Sequence, residues 1–199
     1  MPRPKNTEAR RAQIVDGLLS VLSEQGYERA TVSRIAAEAG LAPGLLHYHF
    51  ANKQAVLLAL VERLDGVFQR RFEARLPRAG SDPRRRLWAC IDAHLSLEED
   101  AEPATVAAWV MVGAEAVRQA EVRALYERSC ARRRELLREL LAACLKEQGK
   151  STRAAARLSA ALLSFIEGAY QLAVSAPELL PAGSAAKSAR EWVEAVLDA

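Results

Sequence analysis

The side chains best suited to recognising another molecule lie between Thr31 and Lys53, in the sequence TVSRIAAEAGLAPGLLHYHFANK. Leu46 and Phe50 are four residues apart, which places both on one side of a short helix and anchors that helix to a core. The other side of the same helix is small, apolar or hydrogen-bonding but uncharged, and it consists of Gly44, Leu45, His47 and Tyr48. A surface of this kind can contact base edges in a DNA major groove. The alternative is a solvated helix without a partner.

The residues before this helix predict another short helix and a tight turn. Thr31 can cap the first helix, and Gly40 lies where a helix usually ends in a left-handed residue. Pro43 suits the first position of the next helix, because its missing N–H costs nothing there. The apolar positions of the first helix are Val32, Ile35, Ala36 and Ala39. Two short helices around a glycine turn are typical of a helix-turn-helix, whose second helix enters the major groove.

Residues 14–57 resemble the DNA-binding motif of the TetR family of bacterial one-component repressors. The matching positions are Ala39-Gly40-Leu41, Gly44, His47-Tyr48-His49-Phe50, Lys53 and Leu57. The sequence departs from the family at Ala42 and Pro43, where Ser and a Lys or Arg are more common. This departure removes one hydroxyl cap and one possible contact with a base or phosphate.

The resemblance implies how this segment meets double-stranded DNA. It assigns phosphate or backbone contacts to Thr31, Tyr48 and Lys53. It places in the groove the side chains of Arg34, Ala42, Pro43, Gly44, Leu45 and His47. Leu45 and the Pro43 ring can meet a thymine methyl group, whereas His47 can exchange hydrogen bonds with a base or phosphate. The expected partner is a palindromic operator.

Composition favours an all-α fold. Half of the 199 residues are apolar and only 6% are aromatic, a balance typical of helices packed through Leu and Ala. We predict a three-helix DNA-binding domain over residues 1–53 and a helical effector-binding and dimerisation domain over residues 54–199, with about nine helices in total. The first eleven residues carry Arg3, Lys5, Arg10 and Arg11 against a single Glu. Such an arm either reaches DNA phosphates or is a solvated terminus.

Apolar periodicity and turn residues divide the chain into predicted helices. A first helix runs over about 8–25 with Asn6 or Thr7 as its cap, and a long one runs over about 53–76. The sequence predicts a linker over residues 77–82. Further helices are predicted over 83–98, from 102 or 103 onward, over 121–147, over 151–175 and up to about 197.

The second part of the chain resembles the C-terminal body of BetI-type TetR regulators. The residues that carry this resemblance are Trp109, Arg123-Ala-Leu-Tyr126, Arg132-Arg133-Arg134 and Phe165-Ile-Glu-Gly168. The resemblance alone does not identify the effector.

A small-molecule effector is expected between the helices of this body, the usual place for such a site in helical proteins. The predicted lining consists of Trp88, Ile91, Trp109, Val112, Tyr126, Phe165, Glu167 and Tyr170, although any single aromatic residue more often fills the core. Glu167 lies in an apolar helix, where an unpaired carboxylate is costly. We favour pairing with an Arg of residues 128–138. The alternative is a cationic ligand held by Glu167 beside Trp109 and Tyr170.

The last two predicted helices are rich in Ala and Gly, which lets helices approach closely. In TetR-like proteins this pair forms a four-helix dimer interface with its copy. The resemblance therefore implies a homodimer through the two C-terminal helices.

Several other functions are disfavoured by the sequence. It has no Gly-rich phosphate loop, Ser nucleophile elbow or His-Glu-x-x-His motif, so neither an enzyme nor a cofactor is expected. His47 and His49 point about 200° apart on a helix, which disfavours a metal site with His94. A helical enzyme or small-molecule-binding protein without DNA binding remains the alternative of a different class.

The cysteines and the apolar segments indicate a cytoplasmic protein. Cys90, Cys130 and Cys144 are odd in number and widely spaced, which is typical of reduced thiols. A thiol-based stress sensor that uses one of them is an alternative to a small-molecule effector. No secretory segment is expected. Glu167 and Gln171 make residues 158–176 a poor membrane span.

Overall fold

The computed structural model describes residues 4–97 and 103–198, with side chains from residue 7 onward. In this part of the chain the regular structure is helical and contains no strand, which confirms the predicted all-α fold. The helices are α1 (Pro4–Gln25), α2 (Val32–Glu38), α3 (Pro43–His49), α4 (Lys53–Ala79), α5 (Pro83–Leu95), α6 (Pro103–Arg118), α7 (Ala120–Glu147), α8 (Ala155–Ser175) and α9 (Ser184–Asp198). Short 3₁₀ turns at Thr152–Ala154 and Pro177–Leu179 precede α8 and α9.

Three predicted helix ends were wrong. The first helix begins at Pro4 rather than near Glu8, so Thr7 lies inside it and does not cap it. The helix that begins at Lys53 continues through Pro77 and ends at Ala79, where Gly80 takes a left-handed φ of 61°. The predicted linker therefore shrinks to the few residues before Pro83. Helix α5 ends at Leu95 instead of near residue 98.

The chain forms two compact units. The first comprises Met1–Asp65 and Pro103–Tyr126, and the second comprises Gly66–Glu102 and Glu127–Ala199. These two units are defined by contacts within the chain. The boundary predicted after Lys53 instead separates the residues expected to bind DNA from those expected to bind an effector. That boundary therefore stays a prediction.

In the first unit, α1 packs against α2, α3 and α6. Ile14, Leu18 and Leu22 follow helical spacing along one side of α1 and are fully buried. Gly17 lies at a close approach of α1 to α2, because a Cβ there would be 2.5 Å from the carbonyl oxygen of Ile35. The absence of a side chain at Gly17 permits this short distance between the two helices.

In the second unit, α5 packs against α8 and α9. One face of α5 is buried and includes Leu87, Ile91, His94 and Leu95. The helical segment Thr152–Ser175 is long and apolar enough to cross a membrane, but core helices of soluble proteins have the same length and composition. Leu158, Leu162 and Ile166 are buried in this unit, but only 33% of the most apolar stretch of the segment is buried within the chain.

Candidate nucleic-acid interface and effector region

The turn between α2 and α3 has the geometry that the sequence predicts. The Thr31 hydroxyl accepts a hydrogen bond from the Arg34 amide at 3.2 Å, so Thr31 caps α2. Gly40 takes a left-handed φ of 65°. The amide of Leu41 donates to the carbonyl of Ala36 at 2.8 Å, and that of Gly40 donates to Ala37 at 3.0 Å. These two bonds form a Schellman motif, which ends α2 and redirects the chain.

Helix α3 is held by a few apolar contacts and not by its own cap. Ala42 occupies the N-cap without a side-chain hydrogen bond, and Pro43 follows at the first position. Leu46 is fully buried and Phe50 is 4% exposed. Because seven residues are too few for a stable isolated helix, these two side chains hold α3 against the rest of the unit.

The outer side of α3 is exposed, as predicted for a recognition surface. Pro43, Gly44 and His47 are exposed, and Tyr48 is 69% exposed with its ring edge-on to His49. Leu45 is half-buried. A Cβ at Gly44 would meet nothing within 4 Å, so open space lies over the middle of this surface. Thr31, Arg34 and Ala42 are also exposed beside it.

Lys53 makes an internal contact that the sequence did not reveal. Its Nζ donates to the carbonyl oxygen of Tyr27 at 3.0 Å and lies 4.1 Å from the centre of the Tyr27 ring. Burial is the main reason why the pKa of Tyr27 is raised, and the Glu115 carboxylate adds to it. A DNA phosphate would have to attract the Lys53 ammonium from this position or share it.

Arg11 also packs against the DNA-binding motif. Its guanidinium lies 4.0 Å from the centre of the Phe50 ring and donates to the His49 carbonyl at 2.5 Å. Arg11 thus stabilises the end of α3 instead of extending freely as an arm. The side chains of Arg3 and Lys5 lie outside the described residues, so their predicted role as an arm is not addressed by the structure.

Polar contacts join α6 and the beginning of α7 to residues on either side of the helix-turn-helix, before α2 and at the start of α4. Arg118 forms an ion pair with Glu28 at 2.8 Å, and the Gln54 amide donates to Glu121 at 2.7 Å. Both contacts lie near the solvent, where a single ion pair stabilises little. Together with the packing of α1 on α6, they make this segment part of the same unit as the DNA-binding motif.

Comparison with known proteins identifies the family. Residues 14–60 match the family described as bacterial regulatory proteins of the tetR family. Residues 83–198, more than half of the chain, match the C-terminal part of BetI-type transcriptional repressors. The chain belongs to the TetR family. It is therefore a DNA-binding transcriptional regulator, and the resemblance noted from the sequence is confirmed for both parts of the chain.

Individual relatives agree with this assignment. The regulator BetI of Agrobacterium fabrum is 34% identical over 85% of this chain and 79% of its own length. BetI of Rhizobium meliloti is 37% identical over 63% of this chain and 61% of its own length. Two solved structures share the fold at 21–22% identity. A Rhodococcus transcriptional regulator has a TM-score of 0.81 over 94% of this chain and 96% of its own. A Saccharomonospora viridis regulator in complex with choline has a TM-score of 0.78 over 96% of both chains.

Three of the residues predicted to line the effector site of this TetR-family regulator lie in the first unit. Trp109 is fully buried and stacks on Tyr126, with ring centres 4.8 Å apart. Val112 is fully buried on the same helix. Gly113 lies beside the Tyr126 ring, where a Cβ would be in ordinary contact with the Tyr126 hydroxyl at 3.5 Å.

The second unit contains a buried group of aromatic rings. Tyr170 is fully buried and stacks on Phe68 with ring centres 5.5 Å apart. The Tyr170 hydroxyl lies 3.1 Å from Nδ1 of His94 and forms a hydrogen bond with it. Burial, reinforced by the charges of Arg133 and Arg71, lowers the pKa of His94 to about 3, so its ring is neutral at pH 7. His94 and Phe68 were not among the predicted site residues.

Glu167 is paired with an arginine, as the favoured interpretation of the sequence predicts. Nη1 of Arg133 lies 3.1 Å from its carboxylate, and the Arg133 side chain is only 6% exposed. The Arg133 guanidinium also lies 5.0 Å from the centre of the Phe68 ring. Of the arginines at 128–138 that were candidate partners, the structure thus identifies Arg133. The Arg133 guanidinium contacts the Glu167 carboxylate and the face of the Phe68 ring, the two kinds of group that a cationic ligand would need.

The other predicted effector residues of the second unit are dispersed. Ile91 is fully buried, whereas Phe165 is 37% exposed on the outer side of α8. Trp88 is half-buried and lines a surface groove between α4 and α5. The structure thus does not collect Trp88, Phe165 and Tyr170 around one cavity in this unit.

The cysteines offer little support for thiol sensing. Burial raises the pKa of Cys90 to about 12. Burial also raises the pKa of Cys144 to about 11, with smaller contributions from Glu147 and Asp82. Both thiols stay protonated at neutral pH, and thiols react through the thiolate. Cys130 is half-buried, so a variant with Ser in place of all three cysteines remains the direct test.

The described residues contain no group of three or more His, Cys, Asp or Glu side chains able to hold a metal.

Proposed function

We propose that this TetR-family regulator is a homodimeric repressor that occupies a palindromic operator and leaves it when its body binds a small-molecule effector. The observation that carries the proposal is the outer side of α3. There Gly44, His47 and Tyr48 are exposed around a helix anchored by buried Leu46 and Phe50. Uncharged groups on a rigid exposed helix suit base edges, while phosphate contacts position the protein.

The proposed contacts divide by chemistry. Thr31, Tyr48 and Lys53 would contact phosphates or the DNA backbone. Residues in the groove would be Arg34, Ala42, Pro43, Gly44, Leu45 and His47. The open space over Gly44 supports this arrangement, because a helix can approach base edges closely only where no side chain intervenes. A protein of this kind acts in the cytoplasm, where bacterial DNA lies.

Dimerisation is proposed through α8 and α9. Large apolar side chains are exposed on these helices, with Phe165 at 37%, Leu172 at 40% and Trp192 at 37%. Exposed apolar side chains concentrated on two adjacent helices are typical of an interface. A dimer would present two recognition helices about 34–36 Å apart, the spacing of successive major grooves. This spacing explains why the operator should be palindromic.

Release requires that the effector prefer one conformation. We propose that the released state differs in α4, which changes the separation of the two recognition helices in the dimer. A shift of the population from 99:1 to 1:99 needs a preference of about 5.5 kcal/mol for the released state. An inducer is therefore identified by its differential affinity for free and DNA-bound protein, and not by tight binding alone.

The position of Arg133 limits the charge that an effector can carry in the second unit. A choline-like cation would have to displace the Arg133 guanidinium from Glu167 and from the Phe68 ring. We therefore propose an effector that is neutral or anionic in the part that enters the second unit. Addition of choline to a complex of this protein with its operator is expected to leave the affinity for DNA unchanged.

The decisive experiment selects duplexes that bind the protein from a random pool. We expect a palindromic sequence logo. Leu45→Ala and His47→Ala should each alter the preferred base at particular positions, because base contacts carry sequence information. A pool without enrichment would refute DNA recognition by the protein. If the sequence logo of each variant were identical to that of the native protein, neither Leu45 nor His47 would contact base edges.

Gly44→Ala tests close approach without disturbing the free protein. The new Cβ meets nothing within 4 Å, and alanine favours the helical backbone over glycine. We expect thermal stability to be retained while operator affinity falls. Retention of full operator affinity would mean that α3 does not approach DNA at this position.

A further inference from the structure

A groove on the second unit has the shape and charge of a binding site for an organic anion. It lies between α4 and α5, its volume is about 540 Å³, and three alanines form its apolar surface. Small-molecule sites commonly have volumes of about 300–1,000 Å³. Of the eight residues predicted to line an effector site, only Trp88 lines this groove.

Positive charge in the groove exceeds negative charge. Arg75, Arg78 and Arg85 line it together with a single carboxylate, that of Asp92. Asp92 is already paired through Oδ2 with Arg190 on α9. The Asp92 carboxylate is therefore not available to balance the positive charges of Arg78 and Arg85.

Arg78 and Arg85 are the residues on which the inference rests. Within the described residues Arg78 has no carboxylate within ion-pair distance, and Arg85 has only Asp82, 3.8 Å from its Nε. Both side chains are exposed. Asp82 also caps α5 by accepting a hydrogen bond from the Arg85 amide at 2.8 Å, so its carboxylate does not serve the Arg85 guanidinium alone.

Trp88 supplies the second element of recognition. It lies one helical turn after Arg85 on α5, so the indole and the guanidinium line the same groove. An aromatic ring stacks on planar groups of a ligand. A guanidinium binds carboxylate or phosphate through two parallel hydrogen bonds. Arginine beside a half-buried indole that lines the groove thus matches a molecule with an anionic head group and a planar ring.

A neighbouring groove shows that this charge pattern is local. It has a volume of about 430 Å³ and shares Trp88 and Asp92 with the first groove. Lys187 and Arg190 there are balanced by acidic groups that include Glu191 and Glu194. The excess of positive charge is confined to the side that Arg78 and Arg85 line.

We propose that the groove lined by Arg78, Arg85 and Trp88 binds a small organic anion in which a carboxylate or phosphate is joined to a planar ring. The guanidinium groups hold the head group and the indole stacks on the ring. This site goes beyond the proposed release from an operator, and its occupancy can be measured on the full chain without DNA.

Titration calorimetry with four probes tests the proposal. Adenosine monophosphate and benzoate carry a head group and a ring, whereas adenosine lacks the charge and inorganic phosphate lacks the ring. We expect binding of at least one of the two complete probes, and weaker binding of adenosine and of phosphate. Binding of the nucleotide alone would identify phosphate as the head group, and binding of benzoate alone would identify carboxylate.

Variants locate the binding. Arg78→Gln and Arg85→Gln should each weaken the complete probes by about tenfold, as expected for the loss of a charge-assisted hydrogen bond. Trp88→Leu should weaken the ring-bearing probes and leave phosphate unchanged. The matched control is Arg157→Gln, which removes an exposed arginine that does not line the groove. Absence of binding by both complete probes, or equal losses in the control, overturns the proposal.

Discussion

Arg133 and Glu167 form an ion pair of 3.1 Å in which the arginine side chain is only 6% exposed and the glutamate side chain 25%. Removal of one partner from a buried pair leaves an uncompensated charge, which commonly costs about 3–5 kcal/mol. Because Glu167 keeps some contact with water, we expect Glu167→Ala to lower the free energy of unfolding by about 2–4 kcal/mol. Urea denaturation measures this change.

A control separates the ion pair from packing on α8. Glu178→Ala removes an exposed carboxylate from the turn that follows the same helix, and a change below about 0.5 kcal/mol is expected there. If Glu167→Ala were as mild as Glu178→Ala, the buried pair would not stabilise the fold.

His94 should make stability depend on pH. Its pKa is about 3 in the folded protein against 6.5 for an ordinary histidine, with burial as the largest cause. Between these values the unfolded chain binds one more proton than the folded protein, so the free energy of unfolding falls as the pH falls. From pH 7.5 to pH 5 this loss should be about 2 kcal/mol.

The comparison is between the native chain and His94→Gln, which keeps a neutral polar group near Tyr170. Denaturation curves at several pH values down to about 5 avoid most of the titration of carboxylates. The variant is expected to lose much of the pH dependence. Parallel stability profiles for the two proteins would contradict a neutral buried His94.

Gly17 should be irreplaceable at the contact of α1 with α2. A Cβ there would lie 2.5 Å from the Ile35 carbonyl oxygen and 3.0 Å from the Ala39 nitrogen, both of which belong to the backbone. Gly17→Ala is expected to lower the free energy of unfolding by about 1–3 kcal/mol, the usual cost of overpacking. It should also weaken DNA binding, because α2 positions the turn before α3.

Gly66→Ala is the matched control within a helix. Its Cβ would approach only the end of the Arg70 side chain, at 3.2 Å, which can move away. Replacement of this glycine should stabilise the protein by about 0.5–1 kcal/mol through helix propensity. Equal effects of the two substitutions in thermal denaturation would argue against a close contact at Gly17.

Lys53 should contribute one phosphate contact despite its position over Tyr27. Lys53→Ala is expected to reduce by about one the slope of the logarithm of the DNA-binding constant against the logarithm of salt concentration. Lys146→Ala, an exposed lysine at the end of α7, serves as the control. An unchanged slope for Lys53→Ala would show that the ammonium remains on the Tyr27 carbonyl in the complex.

The stacking of Trp109 on Tyr126 should contribute to the free energy of unfolding, whether or not an effector is bound. Trp109 is fully buried, so Trp109→Ala should cost about 3–5 kcal/mol. Tyr126→Ala should cost less because this ring is half-buried. A double-mutant cycle on the two positions is expected to give a coupling of about 0.5–1.5 kcal/mol. Additive losses would mean that the rings do not stabilise each other.

The sequence by itself determined the local features of this protein. The Thr31 cap, the left-handed Gly40, Pro43 at the start of α3 and the anchors Leu46 and Phe50 all follow from short-range rules of helix capping and periodicity. The family followed from the same residues. The presence of the helices was predicted correctly, but some of their ends were wrong. The end of α4 was placed before Pro77, although a helix can continue through a proline in its last turn.

Only the tertiary structure decided which side chains meet across the chain. The sequence predicted that Glu167 pairs with an arginine of residues 128–138, but only the structure identified Arg133, 34 residues away, as that partner. Lys53 lies on Tyr27, and Gly17 fits against Ile35. These contacts depend on how helices distant in sequence pack, because a flexible charged side chain has several partners of similar energy and burial selects one of them.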